Sequence, residues 1–314
     1  MNNLKIHVLA AGSLGDAILT LPALQALKGL GTVSLSGTPA YLQLGAELLG
    51  LDRVTLLDPV LQTGGLPGSF DEVSLFLKED AEATAGRLKL VGAKVSIPPY
   101  FLQVFLSRPR PAHLYWNATV EAAHPGRVFQ DKPTLLVPDS LKRSGRKILE
   151  TLHLGNPLLI HPGSGGRAKN APLSFFRRAA ERAAVLGMQV LVAWGEAEEN
   201  RLGEFKEAFQ GMEGVWRLEE TLTLPNLVGV MANARGYVGN DSGPTHLASA
   251  CGLPVLAVFG PTDARVWAPP GADVFQAGKD FGALGEVDPT PVIEGWLGSI
   301  NKPFGPPKSQ ILSN

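Results

Sequence analysis

Short apolar runs recur along this chain, each stopping at a turn and several leading into helical periodicity, and no other feature narrows its fold as far. The first run covers residues 4–10. It meets the turn GSLGD at 12–16, and apolar residues then follow at Ile18, Leu21, Leu24 and Leu27. Pro22 falls inside that periodicity, so the helix is expected to kink or restart there. Further strand-like runs lie at 33–35, 54–57, 73–77 and 94–97. The second half repeats the pattern more clearly: strands at 158–161, 189–193, 215–218, 236–238 and 255–259, with helices predicted at 173–186, 196–209 and 225–233. A last helix is expected near 292–300. Strands alternating with helices predict doubly wound α/β domains, and 314 residues suffice for two of them.

Composition excludes several classes. A net charge of -1 argues against a dedicated nucleic-acid binder. The single cysteine, Cys251, excludes an internal disulfide framework and a cysteine-based zinc site, which suits a reducing compartment. Cys251 itself reads as a buried core thiol. The start lacks the basic region of a signal peptide, and no run of about 18 apolar residues occurs. The expected location is therefore cytoplasmic. Residues 107–147 stand apart, with eight Lys and Arg against three acids. They suit either a solvated linker or a surface for an anionic partner, including a peripheral contact with the cytoplasmic face of the inner membrane.

Three glycine-containing turns follow predicted strands, and in open α/β sheets ligands bind beyond the carboxyl ends of strands. The first carries Gly12, Ser13, Gly15 and Asp16. It lacks the dinucleotide pattern G-x-G-x-x-G. Asp16 suits a helix N-terminus, and equally a general base. The second, HPGSGGRAK at 161–169, is not a Walker loop, because Lys169 falls outside the required spacing. Its glycines let backbone N–H groups approach an anion, with Ser164, Gly165 and Lys169 beside them. The third, GNDSGPTHLA at 239–248, is the most specific. It offers a helix start, with Asp241, Ser242, Gly243, Thr245 and His246 around it. A nucleophilic triad is disfavoured because Asp241 and Ser242 are adjacent and the G-x-S-x-G elbow is absent. A metal site is disfavoured because Asp241 and His246 have no evident third ligand. Glu196, Thr262 and Asp263 end neighbouring strands and suit either plain turns or the rim of the same cleft.

The segments AGSLGDAILTLPALQAL, LLIHPGSGGRAK and VGNDSGPTHLASACGLPVLAVFGPTD together resemble glycosyltransferase family 9, the heptosyltransferases. The resemblance implies a GT-B fold, with two Rossmann-like domains facing across a cleft. An acceptor-binding domain is expected over 1–150, a nucleotide-sugar domain over 151–290, and a helix and tail over 291–314 returning to the first domain. It implies inverting, metal-independent transfer with no cofactor beyond a nucleotide-sugar co-substrate, ADP-heptose, onto a glycan or glycolipid acceptor of the lipopolysaccharide core. Asp16 matches the family's catalytic acid and Lys169 its phosphate-binding lysine. Asp241 and His246 match its donor-binding pair. The run Lys169-Asn170-Ala171-Pro172 lacks the family's tryptophan. Two other readings of the same motifs are a GT-B sugar-nucleotide epimerase or hydrolase, and a nucleotide-sugar-binding protein without catalysis.

Overall fold

The computed structural model describes residues 3–78, 80–90, 94–96, 109–278, 281 and 289–301, with the side chains of 89, 90, 196 and 197 left outside. Its architecture is GT-B: two parallel α/β units set face to face. In the first unit β1 (Leu4–Ala10), β2 (Gly31–Gly37), β3 (Arg53–Leu56), β4 (Glu72–Phe76) and β5 (Val95–Ser96) form one sheet, ordered β3-β2-β1-β4-β5. In the second, β6 (Leu158–His161), β7 (Val190–Val192), β8 (Val215–Arg217), β9 (Gly236–Asn240), β10 (Val255–Phe259) and β11 (Asp273–Gln276) are ordered β11-β10-β9-β6-β7-β8. Every pairing is parallel. Strands β4, β6, β9 and β10 are buried along their whole length, which is why β6 and β10 read as near-continuous apolar runs. Strand β11 alternates less clearly and escaped the sequence reading.

The helices of the first unit are α1 (Leu14–Leu19), α2 (Leu21–Lys28), α3 (Pro39–Leu49), α4 (Asp58–Thr63), α5 (Ala81–Leu90) and α6 (His113–Ala123). Pro22 restarts the chain rather than kinking it: α1 ends at Leu19, and Pro22 sits in the first turn of α2, where its missing N–H costs nothing. The predicted strand at 94–97 is described only to Ser96. The second unit carries α7 (Asp139–Thr151), α8 (Leu173–Val185), α9 (Leu202–Ala208), α10 (Leu224–Met231), α11 (Gly243–Ala250), α12 (Ala264–Trp267) and α13 (Thr290–Ile300).

Two helices near the expected domain limits pack on the second unit. Helix α7 packs on α10 of the second unit through Gly145 and Gly229: a Cβ on Gly145 would lie 2.0 Å from the Gly229 carbonyl. Asn233 Nδ2 also donates to Lys142 O at 2.8 Å. The final helix, expected to return to the first unit, packs over its described length on α8, with Arg182 Nε 3.0 Å from Glu294 Oε1. Its Trp296 and Ile300 close on Gly236 of β9. Residues 302–314 of that expected tail lie outside the described residues. Nor is 107–147 a uniform linker. Helix α6 buries Tyr115, Trp116 and Val120 against the first unit.

Candidate active site

Both sheets reverse their winding at one place, between β1 and β4 in the first and between β6 and β9 in the second. Crevices open at such points beyond the strand ends. All three glycine turns follow these strands, so the motifs converge for a topological reason. A cavity of about 460 Å³ gathers Ser13, Gly15, Asp16, Ser164, Gly165, Lys169, Asp241, Ser242, Gly243 and His246 from both units. A neighbouring cavity of about 510 Å³ shares Ser13, Ser164, Gly165, Ser242 and Gly243, and is walled by Leu222, Leu224, Pro225 and Leu227.

Asp16 is the third residue of α1, and its carboxylate closes a capping box. Oδ2 accepts from Ser13 N at 2.9 Å and Ser13 Oγ at 3.0 Å. Gly12 makes room for this: at φ 143, a Cβ there would lie 2.5 Å from Asp16 Cβ. Gly12 therefore supports the acid from behind and does not line the cavity. The other oxygen, Oδ1, pairs with the Lys78 ammonium from the segment after β4. Burial pushes the Asp16 carboxyl up, but Lys78 and the Ser13 bonds together outweigh it and hold the pKa below the usual carboxylate value. Asp16 is thus ionised at neutral pH, and 14% of its side chain stays exposed to the cavity.

On the facing unit, the loop after β6 is folded by Asn170, whose Nδ2 donates to the carbonyls of Ser164, Gly166 and Arg167. Asn240, fully buried at the end of β9, staples this loop by donating to Pro162 O at 2.8 Å and accepting from Ala171 N at 3.0 Å. Ser164 Oγ donates to Asp241 O at 3.2 Å. Lys169 Nζ pairs with Asp241 Oδ2 at 2.8 Å, and Thr262 Oγ1 donates to the same oxygen at 2.6 Å. The cavity thus holds two acids and two cations, one pair from each unit.

His246 bridges them in space. A Cβ on Gly15 would lie 3.2 Å from His246 Cδ2, and one on Gly243 would lie 2.7 Å from Leu14 Cβ. Glycine at both positions lets the starts of α1 and α11 meet across the cleft. Burial pushes the His246 pKa down to about 4, against the opposing pull of Asp241 and Asp16. It is neutral at pH 7 and acts as a hydrogen-bonding group rather than a cation.

Not every residue that the motifs singled out lines the cavity. Thr245 points under the turn, not into the cleft: its hydroxyl donates to Asn240 O and lies 3.1 Å from Ser242 Oγ, leaving it 1% exposed. The start of α11 offers fewer donors than a bare helix. Pro244 has no N–H, and those of Thr245 and His246 bond Ser242 O, which leaves Gly243 N. Glu196 opens a 3-10 turn, Glu196–Arg201, and its side chain lies outside the described residues. The buried acid of that turn is Glu198, which accepts from Gly195 N at 2.9 Å and stands 3.7 Å from His161 Nε2. Cys251 is half-buried at the end of α11, and burial pushes its thiol up to about 12. Among the described residues, no three His, Cys, Asp or Glu side chains cluster to hold a metal ion, and no helix is long and apolar enough to cross a membrane.

Sequence reading missed Lys78, Trp267, Asn240 and Glu198. Only Asn240 left a signal, as a polar residue at the end of an apolar strand. The others reach the site from segments without a motif.

The comparisons with known proteins agree with this geometry. Residues 136–296 match the family Glycosyltransferase family 9 (heptosyltransferase). Lipopolysaccharide heptosyltransferase 1 of Pseudomonas aeruginosa is 32% identical over 149 residues, a stretch spanning 46% of this chain and 41% of that relative. Among solved structures, the family 9 glycosyltransferase of Veillonella parvula superposes with a TM-score of 0.74 at 18% identity, covering 94% of this chain and 97% of that one. The Escherichia coli ADP-heptose lps heptosyltransferase II superposes at 0.70 and 16% identity, covering 95% and 98%. With the family matched over just over half of its length, and with that family's fold around the cleft, the chain belongs to glycosyltransferase family 9, the heptosyltransferases.

Proposed function

We propose that this protein transfers a heptose from ADP-heptose to a lipopolysaccharide-core or related glycan, with inversion and without a metal ion. The observation that carries the reading is the meeting of Asp16 from one unit with Lys169, Asp241 and His246 from the other around one cavity. Asp16 takes the proton of an acceptor hydroxyl. The freed oxygen attacks the anomeric carbon, and the bond from that carbon to the diphosphate oxygen breaks on the opposite face. ADP leaves with the negative charge. Lys169, Gly243 N–H and the N–H groups of Gly165 and Gly166, which donate to no described residue, face that charge as it grows. The carboxylate of Asp241 repels phosphate, so it suits the sugar hydroxyls, with Thr262 fixing its orientation. The apolar walls of the second cavity suit the flat base. The likeness to lipopolysaccharide heptosyltransferase 1 of Pseudomonas aeruginosa supports a heptose donor.

Calorimetry with ADP, UDP, GDP and ADP-heptose, without and with magnesium, tests this. Binding of ADP and ADP-heptose well above the other nucleotides, unchanged by magnesium, is expected. A preference for UDP or GDP would discard the heptose donor, and a requirement for magnesium would discard metal-free transfer.

A basic surface on residues 127–147, where the chain passes from the first unit to the second, suits a peripheral membrane contact. Arg127, Lys132, Arg143, Arg146 and Lys147 are exposed and form no ion pair among the described residues. Val128 and Leu136, 91% and 84% exposed, lie in the same stretch. Cations interleaved with exposed apolar side chains suit anionic lipid headgroups, each basic residue contributing about 1 kcal/mol near the surface. Sedimentation with phosphatidylglycerol vesicles, but not with phosphatidylcholine vesicles, is expected. Joint replacement of Arg143, Arg146 and Lys147 by glutamate should release the protein. Equal sedimentation of both proteins would remove this surface from the contact.

A further inference from the structure

Lys78 occupies an unusual place in the cleft. It belongs to the first unit, just after β4, and its ammonium pairs with Asp16 Oδ1. The same ammonium lies 5.2 Å from the ring centroid of Trp267, at the end of α12 in the second unit. The cation is therefore held between a carboxylate of one unit and an indole face of the other, and all three side chains line the cavity that holds the sequence motifs. The indole face attracts such a cation electrostatically.

We propose that Lys78 is the positioning residue of this site, clasped by Trp267 so that Asp16 keeps one orientation. The proposal rests on Asp16 being the base. Ser13 holds one carboxylate oxygen and Lys78 the other, so the group cannot rotate about its terminal bond without losing contacts. A carboxylate oxygen has a second lone pair, so Oδ1 can take a hydroxyl proton while Lys78 remains.

The other charged and titratable groups facing Asp16 do not replace Lys78. His246, from α11, is neutral. Tyr41, from α3, is pushed up by burial and stays protonated. Lys169 is paired with Asp241. Without Lys78 only the Ser13 hydrogen bonds oppose the burial of Asp16, and the acid limb of transfer must move to higher pH.

The test compares wild type with Lys78→Met, Lys78→Arg, Trp267→Leu and Asp16→Asn. Two measurements are made: the pH profile of kcat/KM, and a carbon-13 NMR titration of the Asp16 carboxyl, which needs no turnover. In Lys78→Met both midpoints should rise by about 1–3 pH units, with donor affinity within twofold of wild type. Lys78→Arg should restore the wild-type limb. Trp267→Leu should move it in the same direction by a smaller amount. Midpoints in Lys78→Met equal to wild type would overturn the inference even if Asp16→Asn is inactive. Full activity of Asp16→Asn would instead overturn the base reading beneath it, while the NMR titration still reports whether Lys78 governs the carboxyl.

Discussion

Asp16→Asn should lower transfer by about 10²–10⁴-fold, the usual contribution of a positioned general base, while donor binding stays within a few-fold of wild type. Asparagine is the informative replacement. Its side-chain oxygen can still accept from Ser13 N and keep the start of α1 capped. Alanine would add a lost cap worth about 1 kcal/mol and blur the result. The amide cannot take the acceptor proton, and it no longer pairs with Lys78. Donor affinity should hold because the cradle lies on the other unit, in the loop after β6 and at the start of α11. Initial rates at saturating donor, with calorimetry on the same preparation, separate the two effects. A rate near wild type would remove Asp16 from proton transfer and leave it only the capping role visible in the structure.

Lys169→Met is expected to reduce kcat by about 10²–10³-fold, the scale observed when one preorganised donor to developing charge is removed. It should also weaken donor binding. Two causes act in one direction here. The cation that meets the departing diphosphate is gone, and Asp241, only 5% exposed, is left without its partner beside the incoming phosphates. A double variant, Lys169→Met with Asp241→Asn, divides them. It restores the charge balance of the empty cleft, so donor affinity should recover in part, whereas kcat should remain low. Recovery of kcat in the double variant would mean that Lys169 serves only to neutralise Asp241. The neutral state of His246 bears on this expectation, because it offers no second cation to take over.

Much of the fold could be read from the chain because its signals are local. The runs at 4–10, 158–161 and 255–259 became β1, β6 and β10 with the same limits. A parallel strand covered on both faces must be apolar throughout, and that leaves a mark within a few residues. The glycine turns were legible for a related reason. Close backbone approach leaves no room for a Cβ at Gly243 beneath Leu14 and little at Gly15 beneath His246. Because each turn follows a strand at a point where its sheet reverses, the motifs alone located most of the cleft.

What the local signals could not decide was which side chains meet across long stretches of chain. Lys78 reaches Asp16 over 62 residues and stacks on a tryptophan from the other unit. Thr245 and His246 are neighbours in the same motif, yet a helical turn sends the threonine into the core and the histidine to the cleft. Glu198, an acid the motifs did not single out, is buried in its turn because its carboxylate returns to accept from Gly195 N. Helix α7 joined the second unit because paired glycines at 145 and 229 allow it to sit against α10. Local sequence marked every described strand but β11, the glycine turns and the chemical types gathered at the strand ends, because these depend on neighbours in the chain. Tertiary structure alone decided which acid is held by which cation, since that depends on distances that appear only when two independently wound sheets face each other.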